Sequence, residues 1–388
     1  MTYDLIIVGL GGMGSAALFQ AAKAGLNVLG IDRFDPPHDM GSSHAETRIT
    51  RLAVGEGAQY LPLVARSHEI WRELESETGE ALLHQCGLYI ITPPGDPSDD
   101  YNHWAGFVER TAEIAKGGRI PFSRLTPEDA RARHPQLAIR DGDLVGYEPT
   151  GGVVLSERAI AAQLRLARAL GAQTLVNEPV SNVEFGSASA TVVTSQGRHT
   201  AAKVIVTAGA WMPEFMPETR RELLRVTRQT VHWFAVDEPE RFFPDNFSAA
   251  VWAGDRLEDY LGVFPIIPDG ILALKILTEQ YEETTDPNTT DRTVHAEESA
   301  HFFNTLVSDR LKGVTPNCVK ASACLYTHTP NDHFLIDWHP DCQHVLLASP
   351  CSSHGFKHSA AIGEALMQTA TMGRSDLDLS SFSLAQFD

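Results

Sequence analysis

The sequence predicts an α/β fold in which a parallel, βαβ-type sheet is interrupted by a second, antiparallel sheet. Three observations carry this. The first 32 residues read strand, glycine turn, helix, strand, acid. A second apolar strand, Lys203-Val-Ile-Val-Thr-Ala-Gly-Ala-Trp211, ends in small residues that let a backbone approach a ligand. Residues 223–324 alternate apolar and polar over several short stretches.

The opening unit is Asp4-Leu-Ile-Ile-Val-Gly-Leu-Gly-Gly-Met-Gly-Ser-Ala-Ala, followed by Val28-Leu-Gly-Ile-Asp32. Leu5 to Val8 form a short apolar strand. Gly9 makes the tight turn, Gly11 lets the backbone approach a pyrophosphate, and Gly14 lets helix and strand pack closely. The helix N-terminus then offers free N–H groups and positive dipole to phosphates. Asp32 lies close to the expected spacing of ~20 residues beyond the glycines, where a carboxylate accepts ribose hydroxyls and repels a 2′-phosphate. Glycine-rich turns also serve packing alone, but strand, helix and acid together point to a Rossmann-like dinucleotide-binding unit.

The segment Phe34-Asp-Pro-Pro-His-Asp-Met-Gly-Ser-Ser-His-Ala-Glu-Thr-Arg48 has no hydrophobic periodicity and is expected to run as an extended loop. Leu63, Val64, Ile70, Trp71 and Leu74 recur at helical spacing within Tyr60 to Thr78. Cys86 to Thr92 reads as a strand, 93–100 as a loop, and Trp104 to Ala115 as a helix. After the turn at Gly146, Glu157 to Leu170 is an amphipathic helix stopped by Gly171, and Ala172 to Val176 a strand. Val231 to Val236 and Ile271 to Ile276 belong to the alternating region, which closes with a helix at Ala296 to Val307. Finally, the strand from Val345 runs into a Gly-containing turn and an Ala-rich helix to Met372. There is no internal repeat and no second G-x-G-x-x-G, so a separate NAD(P)H domain is not indicated.

At 388 residues, two domains or one elaborated domain are expected. A formal net charge of −19 argues against nucleic acid and against an anionic membrane surface, and means that an anionic substrate must meet local Arg or Lys. The first residues lack a basic n-region and glycines break the apolar stretch, so no signal peptide or membrane span is read, and a cytoplasmic location is the expectation. The five cysteines include no C-x-x-C pair, and the C-terminal histidines follow no tight ligand spacing, so no disulfide scaffold and no metal site are expected.

Three blocks add specificity: Asp35-Pro-Pro-His with Gly41-Ser-Ser-His-Ala-Glu-Thr-Arg-Ile-Thr-Arg51 and Gly55-Glu-Gly; Cys324-Leu-Tyr-Thr-His-Thr with His333-Phe-Leu-Ile-Asp; and Ser353-His-Gly-Phe-Lys357. With them the whole chain resembles the monomeric sarcosine oxidase and N-methyltryptophan oxidase group of flavin amine oxidases, within the D-amino-acid-oxidase-like superfamily. The resemblance implies an FAD-binding domain discontinuous over 1–86, 148–216 and 325–388. It implies a substrate domain over 87–147 and 217–324. The implied cofactor contacts are Gly9, Gly11, Gly14, Asp32, Arg33, Ser42, Ala208, Gly209, Gly355 and Lys357.

By the same resemblance Cys324 matches the cysteine that forms a thioether to the flavin, implying covalent FAD; taken alone it reads as a small buried hydrophobe. Arg51 and Lys357 match the residues that grip a substrate carboxylate, as charge-assisted hydrogen bonds would. Lys275, in Ala273-Leu-Lys-Ile, matches a lysine over the flavin face that assists oxygen reduction. A Lys inside an apolar strand is costly unless partnered or functional, and an outward-facing strand Lys is the alternative. His44, Thr47 and Arg48 match loop residues near the isoalloxazine ring, with loop anchoring by Arg48 as the alternative, and Tyr326 matches a cavity-lining side chain. Two positions depart from the pattern. Glu279 stands where a substrate-contacting histidine is expected and Gly262 where a pocket tyrosine is expected. That implies more room and a substrate side chain that is larger or cationic, unless Glu279 faces solvent.

The implied reaction removes a hydride equivalent from the carbon beside a secondary amine (N-methyl, N-alkyl or cyclic amino acid), giving an imine, with molecular oxygen reduced to hydrogen peroxide. The protein supplies binding, orientation and electrostatics, without a strong base. The alternatives are a flavin-dependent amino acid dehydrogenase or primary amino acid oxidase, an NAD-dependent dehydrogenase, and a non-catalytic flavin-binding module. The expected molecule is a monomer.

Overall fold

Leu5 and Ile7 point into one hydrophobic cluster, with Leu18, Trp71, Leu346 and Ile362, while Ile6 and Val8 point into another, with Leu29, Ile31, Val204 and Leu347. Burial on both faces explains the unbroken apolar run, which is the signature of a central parallel strand. In the computed structural model, which describes residues 2–95, 104–256 and 258–388, the strand Thr2–Val8 lies between Val28–Ile31 and Gly197–Val206 and is parallel to both. Gln173–Leu175 extends the sheet beyond Val28–Ile31, and Cys342–Ser349 pairs in parallel with the end of Gly197–Val206. The helices Gly12–Lys23 and Ser359–Met372 pack in close approach: a Cβ on Gly363 would come within 2.3 Å of the Ala16 Cβ. That approach carries the turn before the C-terminal helix up to the glycine loop.

The second sheet has eight strands in the order Val314–His328, Arg225–Val236, Leu274–Leu277, Leu261–Phe264, Ala249–Trp252, Leu88–Thr92, Leu144–Glu148 and Ser123–Leu125. It is antiparallel apart from one parallel pair, Leu88–Thr92 with Ala249–Trp252. The strand Val314–His328 runs unbroken through residue 324. A small three-stranded sheet, with Gly152–Leu155 between Thr47–Thr50 and Leu83–His84, joins the two. The fold is therefore mixed α/β.

Several expectations are corrected locally. The loop from Phe34 ends at Glu46, because Thr47–Thr50 pairs with Gly152–Leu155 as a strand. The strand read from Lys203 to Trp211 stops at Val206; Gly209, at φ +54°, turns the chain into a 3-10 helix over Gly209–Phe215. The strand expected at Ile271 to Ile276 is Leu274–Leu277. The helix expected at Ala296 to Val307 is α-helical only to Phe302 and widens into a π turn over Phe303–Val307. The helix expected from Trp104 covers Phe107–Gly118, opened by Gly106 at φ +63°. The loop read at 93–100 lies outside the described residues from 96 onward.

Candidate active site

The glycine loop, the Phe34–Glu46 loop, the turn after Gly197–Val206 and the turn before the C-terminal helix line one cavity. Gly9, Gly11, Asp32, Arg33, Ser42, Arg48, Ala208, Gly209, Tyr326 and Gly355 all line it. The glycines divide by role. A Cβ on Gly9 would sit 2.5 Å from the Thr207 carbonyl oxygen, and one on Gly14 would sit 1.8 Å from the Gly9 carbonyl oxygen, so both are required by packing. A Cβ on Gly11 would meet only Ser43 Oγ at 3.7 Å, so this position has room toward the cavity. Asp32 accepts hydrogen bonds from the backbone N–H of Leu10 at 2.6 Å and of Phe34 at 2.8 Å, which fixes the loop and turns the carboxylate to the cavity. Arg33 stacks over Trp211 and donates to Asn288 and Glu214, so its guanidinium is held by protein partners.

These residues fit an FAD. The lining runs from Gly11 and Gly12 at the helix N-terminus to Arg48 and Tyr326, there is free space at Gly11, and the buried Nε2 of the nearby His44 has no hydrogen-bond partner among the described residues.

At the far end, Lys275 is buried and anchored. Its Nζ donates to the carbonyls of Ala45 at 2.5 Å and Thr47 at 2.7 Å and to the Thr47 hydroxyl at 3.1 Å, and lies 4.1 Å from the centre of the Phe264 ring. The alternative of an outward-facing strand lysine is thereby excluded. Burial, and then the Arg48 charge, push its pKa well below the usual lysine range. Arg48 donates to the carbonyls of Thr47 at 2.8 Å and Ser42 at 2.5 Å, so it anchors the loop and lines the cavity at once. Burial and Arg48 lower the His44 pKa to about 3, which keeps that ring neutral.

Cys324 packs with Ala45, Val231, Trp233 and Ala273, on a strand that Arg225–Val236 separates from the lysine strand. Burial raises its thiol pKa, while Arg48 and Lys275 favour the thiolate. A second thiol, Cys351, lines the cavity and accepts a hydrogen bond from the Thr327 N–H at 3.4 Å. All five cysteines are unpaired thiols.

Arg51 and Lys357, which are 306 positions apart in sequence, converge on one carboxylate, that of Glu56. One terminal nitrogen of Arg51 donates to both Glu56 oxygens at 2.6 and 2.7 Å, and Lys357 Nζ lies 3.7 Å from Glu56 Oε1. Lys357 also donates to the His354 carbonyl at 2.6 Å. Burial works to raise the Glu56 pKa, but Arg51 and Lys357 outweigh it and hold the group ionised. Burial lowers Lys357 to about 7 against the pull of Glu56. The signal in the sequence was an acid between two glycines, five residues after Arg51.

Glu279 is buried, not solvent-facing, and accepts a hydrogen bond from the Tyr281 hydroxyl at 2.5 Å. Burial raises its pKa to about 7, with Tyr281 opposing. The expected extra room at Gly262 is not found: a Cβ there would meet Leu277 at 3.0 Å, so the position is filled from the neighbouring strand. Tyr260, two residues earlier, is buried in the field of Glu279, Arg51 and Glu56. Among the described residues no three His, Cys, Asp or Glu could hold a metal ion, and no helix is long and apolar enough to cross a membrane.

Comparison with known proteins places this architecture. Residues 4–369 match the DAO family model, described as FAD dependent oxidoreductase. Monomeric sarcosine oxidase from Bacillus sp. (strain B-0618) is 34% identical over 386 residues, covering 98% of this chain and 95% of that protein. N-methyl-L-tryptophan oxidase from Yersinia pestis (strain Pestoides F) is 35% identical over 391 residues, covering both chains fully. In fold, the chain is similar to the open form of NikD, an unusual amino acid oxidase essential for nikkomycin biosynthesis, with a TM-score of 0.82 at 19% identity, covering 98% of this chain and 97% of NikD. Glycine oxidase from Geobacillus kaustophilus gives 0.74 at 20% identity, covering 99% and 98%. The chain belongs to the DAO family of FAD-dependent oxidoreductases.

Proposed function

We propose that this chain oxidises the C–N bond of a secondary amino acid, with an N-methyl, N-alkyl or cyclic nitrogen, to an imine that water hydrolyses after release. The carrying observation is the convergence of Arg51 and Lys357 at a buried position beside a cavity that fits FAD. Relatives named for sarcosine and N-methyl-L-tryptophan oxidation support the substrate class. The chemistry supplied by bound FAD is uptake of a hydride equivalent and its transfer to dioxygen, giving hydrogen peroxide.

The remaining work belongs to side chains. Arg51 and Lys357 hold the substrate carboxylate, which competes with Glu56 for the two cations. Tyr326 and Tyr260 form buried walls that exclude water, and anchoring the carboxylate orients the carbon beside nitrogen. Gly9, Gly11, Asp32, Arg33, Ser42, Ala208, Gly209 and Gly355 hold the cofactor, and Gly14 serves it through the close packing of helix on glycine loop. His44, Thr47, Arg48 and Lys275 surround its reactive end, with Lys275 serving the oxygen step. Cys324 is the covalent attachment point, packed against Ala45 of the loop that carries His44, Thr47 and Arg48. Residues 1–86, 148–216 and 325–388 form the cofactor domain, and 87–147 and 217–324 the substrate domain. The same proposal takes the protein as a cytoplasmic monomer.

A panel of N-methyl, N-alkyl and cyclic amino acids, assayed for peroxide beside primary amino acids, tests the reading. Turnover confined to secondary amines supports it. Turnover without peroxide, in the presence of an artificial electron acceptor, would instead identify a dehydrogenase.

A further inference from the structure

Residues 278–295 leave the strand Leu274–Leu277 of the second sheet and return to the helix Ala296–Phe302. Part of this excursion is tied to its own sheet: Thr284 bridges Thr227, and the Thr285 N–H donates to the Val226 carbonyl at 2.8 Å. A turn follows at Asp286. Its carboxylate accepts from the Asn288 N–H at 2.8 Å, and its carbonyl accepts from the Thr290 N–H at 2.8 Å. The turn sets the Asn288 side chain against Arg33 and Trp211, both of which line the dinucleotide cavity.

Asn288 Oδ1 accepts from Arg33 Nη1 at 2.6 Å and from Trp211 Nε1 at 2.8 Å. Asn288 Nδ2 donates to Glu214 Oε1 at 3.2 Å, and Glu214 Oε2 accepts from Arg33 Nη2 at 3.2 Å. A guanidinium and an indole only donate, and a carboxylate only accepts, so the partners fix which way the amide points. The guanidinium lies over the Trp211 ring, 5.1 Å from its centre, and the Phe34 ring is 5.6 Å from the same ring. Arg33, Phe34 and Trp211 thus make one wall of the cavity beside Asp32, the carboxylate suited to a ribose. Trp211 is buried and Asn288 exposed, so the amide closes this wall from outside.

We infer that Asn288 is a positioning residue for the cofactor: one amide oxygen pins Arg33 and Trp211 together and holds rigid the wall that the adenosine half of FAD meets. A flat surface of aromatic rings and a guanidinium suits a purine. A wall already fixed before the ligand arrives has less freedom to lose on binding, so the amide acts through retention of the cofactor. The same contact explains why the Arg33 guanidinium is engaged by protein partners although the residue lines the cofactor cavity: its contribution is the plane it presents over Trp211. The inference uses membership in the FAD-dependent family and does not depend on the amine substrate proposed above.

The test is the rate of FAD release from the full-length holoenzyme, read as the growth of free-flavin fluorescence after dilution. It uses a Cys324→Ser/Cys351→Ser background, in which neither thiol near the cavity can retain the flavin. Asn288→Ala in that background should release FAD about tenfold faster, the scale of losing hydrogen bonds that involve a charged group. Asn288→Asp keeps an acceptor for Arg33 and Trp211 but sets a negative charge against Glu214, so it should also release FAD faster. Asn288→Asp combined with Glu214→Gln restores a donor opposite each acceptor and should return release close to the background rate. Thermal unfolding of the flavin-free proteins is measured beside it and should not follow this order. Release unchanged in Asn288→Ala, or equally fast in Asn288→Asp with and without Glu214→Gln, overturns the inference. Release rates that simply track the unfolding temperatures overturn it as well, by making the contact one of general stability. Failure to oxidise any secondary amino acid would strike the proposed function and leave this inference standing, because release is read without substrate.

Discussion

One terminal nitrogen of Arg51 donates to both oxygens of Glu56, at 2.6 and 2.7 Å, in a buried site that Lys357 also faces. The protein thus carries its own carboxylate at the place where a substrate carboxylate is proposed to bind. Glu56→Gln removes the competing charge, and the Kd of a simple carboxylate ligand, read from the flavin difference spectrum, should fall several-fold. Arg51→Ala should raise it by roughly 30-fold or more, the scale of losing one partner of a buried charge pair. An unchanged Kd in both variants would move the carboxylate site elsewhere.

Lys357 sets a pH dependence with a definite sign. Burial lowers its pKa to about 7, so in the free enzyme it is charged below that pH and neutral above it. Binding of an amine-free carboxylate should be tightest below neutrality and weaken as pH rises, and proton uptake on binding should be detectable above neutrality. Lys357→Met should flatten that profile; a profile that rises with pH in wild type would reverse the assignment.

Two thiols, buried Cys324 and half-buried Cys351, approach the cofactor end, and only one is proposed to carry the flavin. Acid precipitation should retain the yellow colour in the pellet for wild type and for Cys351→Ser, and release it to the supernatant for Cys324→Ser. Colour retained in Cys324→Ser and lost in Cys351→Ser would transfer the attachment to the cavity-lining thiol.

Lys275 is held by Ala45 and Thr47 rather than by an acid. If it serves the oxygen step, Lys275→Met should leave anaerobic flavin reduction within a few-fold of wild type and slow reoxidation in air by about 10² or more, the range of one electrostatic catalytic group. Equal slowing of both half-reactions would make its role one of holding the Ala45–Thr47 loop.

The glycines separate stability from binding. Gly9, at φ +89° and pressed against Thr207, should not tolerate alanine without losing about 1–3 kcal/mol of stability. Gly11→Ala has room for its methyl, so thermal unfolding should change little while FAD retention falls.

The parts legible in the sequence were those written locally. The apolar run Leu5 to Val8 is continuous because both its faces are buried, and the helix Leu61–Thr78 ends where Gly79 adopts φ +72°. Arg51, Lys357, Lys275, Tyr326 and Glu279 were found through motif resemblance, and the structure shows each of them buried. What escaped was set by tertiary contacts. Glu56 gains its place only when Arg51 and Lys357 meet, and no periodicity records that meeting. The space expected at Gly262 disappears because Leu277 fills it from the paired strand, while Tyr260 supplies a ring two residues earlier. Cys351 sits in a turn whose approach to the cavity depends on the close packing of Gly363 on Ala16.

The most direct test of the central claim is anaerobic titration of the yellow protein with an N-methyl amino acid, followed by admission of air. The account predicts that the flavin band bleaches with substrate and returns in air with one equivalent of hydrogen peroxide per flavin. A flavin that stays oxidised with every N-methyl, N-alkyl and cyclic amino acid offered, or that bleaches only with primary amino acids, would contradict it.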